Sequence, residues 1–163
     1  MDLNHCTEAQ LIAQVRGVEK KEATSPRITA FLESKTAYAS ADLAGQTRQS
    51  YPPNVKIISV PSTGRVGLIH LLNAFATGSD GVIFVEGEDS RFDGDKLREH
   101  VTRLKNQLNE YGVEALRIVS TTTTIPQYSK LVDGFDMFSK RLSKIGRLSA
   151  ETRSKIEKKL AED

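Results

Sequence analysis

A chain of 163 residues, 38% of them apolar and 27% charged, is one ordinary soluble domain, long enough to bury a sizeable core without disulfides or metals. Its single cysteine, Cys6, excludes an internal disulfide and a cysteine-ligated metal site, and is compatible with a reducing compartment. A net charge of +2 is too small to argue for nucleic acid. No apolar run approaches the roughly 20 residues that span a bilayer, and the amino terminus lacks a basic-then-apolar signal pattern, so the expected location is the cytoplasm.

Thr7-Glu8-Ala9-Gln10 is a capping box, and Leu11, Ile12, Val15 and Val18 follow on one face of a short amphipathic helix. The run from Glu19 to Pro26 reads as a polar linker. His5 and Cys6 are adjacent, but two ligands make no metal site and no suitably spaced partners follow. Arg27 to Leu32 is a first strand, apolar enough for a central position covered on both faces. Glu33 to Thr36 forms its carboxyl-end loop, and the next helix starts near Tyr38 with a small face at Ala37, Ala39, Ala41 and Ala44. After the rigid connector Tyr51-Pro52-Pro53-Asn54, Val55 to Val60 is a second strand, β-branched almost throughout.

Pro61-Ser62-Thr63-Gly64 then turns into a helix ending at Gly78 whose Val66, Leu68, Ile69, Leu71, Leu72 and Phe75 face the core. Two readings of its start stand together: backbone amides beside Arg65 hold an anion, or Ser62 or Thr63 simply caps the helix. A phosphate-loop spacing is absent. Gly81 to Val85 is a third strand, and Glu86, Glu88, Asp89, Asp93 and Asp95 after it read as a solvated acidic loop or a docking patch for a basic partner. Leu97, Val101, Leu104, Leu108 and Tyr111 repeat at helical spacing up to Gly112. Leu116 to Val119 is the fourth strand, which places the hydroxyl run Ser120 to Thr124 in the next carboxyl-end loop. Tyr128, Leu131, Phe135, Phe138, Leu142 and Ile145 form a core stripe on a further helix, and a weak, basic final helix carries Ile156 and Leu160.

Four strand-helix repeats imply right-handed crossovers and a four-stranded parallel sheet flanked by helices, flavodoxin-like, with expected order 2-1-3-4. The expected organisation is an N-terminal helix and linker over 1–26, an α/β domain over 27–147 and a charged helix over 148–163. In such a sheet the crevice outside the carboxyl ends of the strands is the functional edge. The loops around Tyr38 and Gly64 meet there.

Those loops carry a resemblance. Tyr38-x-x-Ala41-Asp42-Leu43-Ala44-Gly45, Tyr51-Pro52-Pro53-Asn54-Val55, Gly64-Arg65-Val66 and Gly78-x-Asp80-Gly81-Val82 resemble the iron-sulfur delta subunit of methyl-viologen-reducing hydrogenase, collinearly from about Arg27 to about Ile145. The resemblance implies a flavodoxin-like fold, a role relaying electrons through a [2Fe-2S] cluster, and partners that are a nickel-iron hydrogenase module and the flavin-bearing subunit of heterodisulfide reductase. It fails at the ligands: the Cys-x-x-Cys pair falls on Glu33 and Thr36, the next cysteine on Ser62, and the last ones near Gly87 and Ser90. Hydroxyls and carboxylates are not usual cluster ligands, so the expectation is a member that kept the scaffold and lost the cofactor, with no metal site.

Two functions follow. One is a non-catalytic subunit or adaptor of a redox complex, facing a flavoprotein or iron-sulfur partner through Tyr38, Asp42, Arg48, Tyr51 and Arg65. The other is a stand-alone domain binding a small anion in the vacated crevice through Ser62, Thr63, Gly64, Arg65, Ser120 and Thr121. No nucleophile-base pair marks a catalytic site, and His5, His70 and His100 lie on the terminus or on predicted helices, away from the loops. A homo-oligomer is left open.

Overall fold

A computed structural model describes residues 7–16, 26–46, 54–89, 92, 94–124 and 128–162. Four strands, β1 (Ile28–Glu33), β2 (Val55–Val60), β3 (Gly81–Gly87) and β4 (Ile118–Thr123), form one parallel sheet in the order β2-β1-β3-β4. That is the order expected from the sequence.

The period-two side-chain alternation of strands splits the core into two layers. Phe31, Ile58, Val82, Phe84 and Ile118 face one side, against α3 (Leu68–Ala76) and α4 (Gly94–Asn109). Ala30, Leu32, Ile83 and Val85 face the other, against α2 (Ala37–Gln46) and α5 (Tyr128–Ile145). The predicted stripes are the ones that pack: Leu97, Val101, Leu104 and Leu108 on α4, and Leu131, Phe135, Phe138 and Leu142 on α5, are all buried.

The first helix, α1 (Glu8–Arg16), starts on the capping box read from the sequence. The Thr7 amide donates to Gln10 Oε1 at 2.9 Å, and the Gln10 amide to Thr7 Oγ1 at 3.2 Å. Leu11 and Val15 join the α3 layer, and Arg16 Nε donates to Asn73 Oδ1 at 2.6 Å. Its Val18 and the linker after it, like His5 and Cys6, lie outside the described residues.

The last helix, α6 (Ala150–Glu162), buries Ile156 completely against the same layer. A polar hub at the amino end of the sheet fastens it. Asp80, fully buried, accepts from the amides of Arg27 and Leu148 at 3.0 Å each, from Arg147 Nε at 3.3 Å, and from Arg153. Arg153 also donates to the carbonyls of Phe75 and Ser79 at 2.6 and 3.0 Å. Arg117, 2% exposed, holds the carbonyls of Asp80 and Gly146 at 3.1 and 2.9 Å and pairs with Glu114.

The fourth strand differs from expectation. It runs from Ile118 to Thr123 rather than from Leu116 to Val119, so Ser120 to Thr123 are strand and not carboxyl-end loop. β-branched threonines suit an extended, half-buried strand, and six unbroken partners, from Val82↔Ile118 to Gly87↔Thr123, hold them there. Leu116 lies in the preceding 3-10 turn, 59% exposed. No helix among the described residues is long and apolar enough to cross a membrane.

Candidate functional site at the carboxyl end of the sheet

β1 ends on Glu33, whose side chain turns over the start of α2. Its carboxylate accepts from the amides of Lys35 (2.7 Å), Thr36 (2.8 Å) and Ala37 (3.4 Å). These are donors that a helix start leaves without intrahelical acceptors, and a negative charge there is favoured by the helix dipole. Glu33 is 4% exposed; three amides meet the requirement that a buried charge be hydrogen-bonded. Beside it, Thr36 Oγ1 donates to Asp89 Oδ1 at 2.9 Å. This contact needs glycine at 87: a Cβ there would lie 2.7 Å from Thr36 Cβ and 2.8 Å from Asp89 Oδ1.

The β2 loop is tied to β3 by a second carboxylate. Glu86, fully buried, accepts from the Thr63 amide at 2.9 Å and from the Thr63 hydroxyl. Ser62 Oγ accepts from the Gly64 amide at 3.3 Å and so caps a single 3-10 turn, Thr63–Arg65. The expected continuous helix is therefore split into this turn and α3. Gly64 sits under the Phe92 ring, where a Cβ would come within 3.0 Å.

Both described histidines reach this edge, contrary to the sequence reading that placed them away from the loops. His100 Nε2 is 2.7 Å from the Val66 carbonyl, and its ring packs edge-on to Phe84 and Phe92. A carbonyl only accepts, so this nitrogen carries the proton. His70 Nδ1 accepts from the Gly67 amide at 2.9 Å. Burial pulls the His70 pKa below its ordinary value, opposed by the charge of Glu8. Its Nε2 has no hydrogen-bond partner among the described residues. The reason is local: α3 begins after Val66-Gly67, and the first turn of a helix folds back on the residues that precede it.

The acidic run after β3 is also not simply a solvated loop. Glu86 belongs to β3 and Asp89 is hydrogen-bonded to Thr36. Strand parity was the available signal, since Glu86 shares the inward face with Val82 and Phe84.

The surface candidates divide. Tyr38 is 45% exposed at the start of α2, and Asp42 is exposed one turn on. Arg65 is exposed on the β2 loop, and its guanidinium has no ion pair or hydrogen bond among the described residues. Tyr38 and Arg65 flank the edge from opposite faces of the sheet, since Ala37 belongs to one core layer and Val66 to the other. Arg48, Tyr51 and Ser90 lie outside the described residues. Ser120 and Thr121 sit within β4 rather than in a carboxyl-end loop, whereas Ser62 and Thr63 lie on the turn after β2 that Glu86 ties to β3. Arg65 instead borders a separate pocket of about 210 Å³ with Glu8, Leu11, Val60, Pro61 and His70.

A [2Fe-2S] cluster needs four protein ligands, thiolate or imidazole. The positions that would supply them present a carboxylate spent on three amides, two hydroxyls in capping or loop contacts, and a glycine packed against Thr36. The chain has one cysteine in all, and no group of three or more metal-ligating side chains occurs among the described residues. The residues present do not fit the cluster.

Residues 28–146 match the family model for the methyl-viologen-reducing hydrogenase delta subunit. Among curated proteins the chain is 35% identical over 127 residues to the vhu iron-sulfur subunit of the F420-non-reducing hydrogenase from Methanopyrus kandleri, covering 75% of this chain and 96% of that protein. It is 34% identical over 125 residues to the protein of the same name in Methanocaldococcus jannaschii, covering 74% and 93%. It is also 29% identical over 152 residues to a protein of the Ferredoxin/F(420)H(2)-dependent CoB-CoM heterodisulfide reductase from Methanosarcina acetivorans, covering 87% of this chain but 18% of that protein. The chain belongs to the methyl-viologen-reducing hydrogenase delta-subunit family.

Proposed function

We propose that this chain is a non-catalytic subunit of a hydrogenase- or heterodisulfide-reductase-like complex that has lost the [2Fe-2S] cluster and acts as an adaptor. Its relatives are named as iron-sulfur subunits of hydrogenases, and another as part of a heterodisulfide reductase. The observation that carries the reading is Glu33. At a position where the family resemblance calls for a thiolate, a buried carboxylate closes the start of α2 through three amides. The loop is thereby held by the protein's own hydrogen bonds, and a bound centre is not needed to shape it. What remains for binding is the outer surface of the same edge, where Tyr38 and Arg65 are exposed and where Arg and aromatic residues commonly dominate interfaces. The partner is a flavoprotein or iron-sulfur subunit.

Co-purification from the native host with mass spectrometry tests this. A redox subunit should accompany the chain, and Tyr38→Ala and Arg65→Ala should each weaken its capture by about 2 kcal/mol. Equal capture by both variants would contradict the docking surface.

A second reading, a stand-alone domain binding a small anion, is favoured by the Arg65 guanidinium, which has no partner among the described residues and stands beside the His70 pocket. The Glu8 carboxylate on that pocket's wall opposes it. Calorimetric titration with phosphate separates the two: saturable binding lost in Arg65→Ala supports the anion reading.

A further inference from the structure

β4 is the last strand at one margin of the sheet, so one row of its backbone N–H and C=O groups has no strand beyond it among the described residues. Exposed edges of this kind invite strand addition and are ordinarily blunted by charges, proline or a bulge. β4 has none of these: Ile118–Thr123 reads Ile-Val-Ser-Thr-Thr-Thr, and its register with β3 is unbroken.

A groove of about 310 Å³ runs between this edge and α5. Val119, Thr121 and Phe138 contribute to its lining, and Met137, 68% exposed, stands on its rim. Gly134 opens it in the middle, because a Cβ there would meet nothing within 4 Å. Lys130, Gly134, Met137 and Arg141 fall at helical spacing on the α5 face that borders the groove.

The charges say what would lie in it. Lys130 and Arg141 are exposed cations with no ion pair or hydrogen bond among the described residues, whereas Lys140 on the same helix is paired with Asp136. No acidic side chain among the described residues lines the groove. The two cations are eleven positions apart on α5, about 16 Å, which is the length of about five extended residues.

We propose that the β4 edge and the α5 groove take an extended acidic segment of a partner protein as a fifth strand. Backbone hydrogen bonds to β4 would supply affinity, as in strand addition generally. Two carboxylates on one face of the added strand, four positions or about 13 Å apart, would lie within side-chain reach of Lys130 and Arg141. This surface is separate from the Tyr38 and Arg65 edge and does not rest on the proposed adaptor role.

The test places a photo-crosslinking amino acid at Met137 of the full chain in the native host and identifies the crosslinked peptide by mass spectrometry. The expected product joins Met137 to one segment of a different protein carrying two acidic residues four apart. Its yield should fall at least tenfold in Lys130→Glu and in Arg141→Glu, with both variants melting as the parent does. A synthetic peptide of that segment should slow amide exchange of Ile118–Thr123 at least tenfold. A crosslink to a second copy, to this chain's own residues or to a segment lacking those acidic residues overturns the proposal, as does no crosslink or unchanged exchange. Co-purification of a redox subunit without a crosslink leaves the adaptor reading standing and removes only the fifth strand.

Discussion

The two ends of the sheet bury carboxylates in different ways. At the amino end Asp80 gathers donors from Arg27, Arg147, Leu148 and Arg153, 53 to 73 positions away in sequence. At the carboxyl end Glu33 draws its donors from residues two to four positions on. The amino end is thus a staple that fastens the last helix to the sheet, and its failure would free a whole element. The carboxyl end combines this local closure at Glu33 with loop ties from Glu86 to Thr63 and from Asp89 to Thr36, around loops that remain exposed on their outer side. Rigid anchoring at one end leaves the other free to vary.

The largest effect should come from Asp80→Ala. It leaves Arg153 and Arg147 facing a buried site without their carboxylate, and breaking such a buried pair typically costs about 3–5 kcal/mol. Glu33→Ala removes only local caps, worth about 0.5–2 kcal/mol. Urea unfolding of both variants checks the ranking; an equal or larger loss for Glu33→Ala would break the distinction between staple and closure.

Gly87→Ala sharpens the account of the carboxyl end. The added methyl would meet Thr36 and Asp89 at under 3 Å, and overpacking of this kind typically costs about 1–3 kcal/mol. The pair Gly87→Ala/Thr36→Gly, which removes the Thr36 Cβ and Oγ1 that the new methyl would meet, should cost less than the sum of the two single changes, a partial recovery in the same melts. No recovery would mean the loop is not closed by this contact.

A smaller effect follows from His70. Its pKa is lowered in the folded protein by burial, so the unfolded chain binds the proton more readily, and stability falls as pH drops through the ordinary imidazole value of about 6.5. Melting temperatures measured between pH 7.5 and 5.5 should decline more steeply in the parent than in His70→Asn. Parallel slopes would show that His70 does not titrate against folding.

Much of the fold was legible because it rests on periodicity. The α4 and α5 stripes, β2 from Val55 to Val60 and the Thr7–Gln10 capping box are all local patterns, and each recurs in the structure. The end of β4 was misplaced because a hydroxyl run reads as a turn until the pairing with β3 is known. The Asp80 hub was seen only as part of a family motif. Its arginines come from Arg117, Arg147 and Arg153, and no local signal links them. Glu86 lay in plain sight by strand parity but was masked by its acidic neighbours.

We propose that the positions matching the family's cluster ligands are closed by the protein itself. Anaerobic purification from the native host, followed by iron and acid-labile sulfide determination and visible spectroscopy, tests this. A colourless protein without stoichiometric iron or sulfide, before and after incubation with ferrous iron and sulfide, is the predicted result. About two irons and two sulfides per chain, with the absorption of a [2Fe-2S] centre, would contradict it.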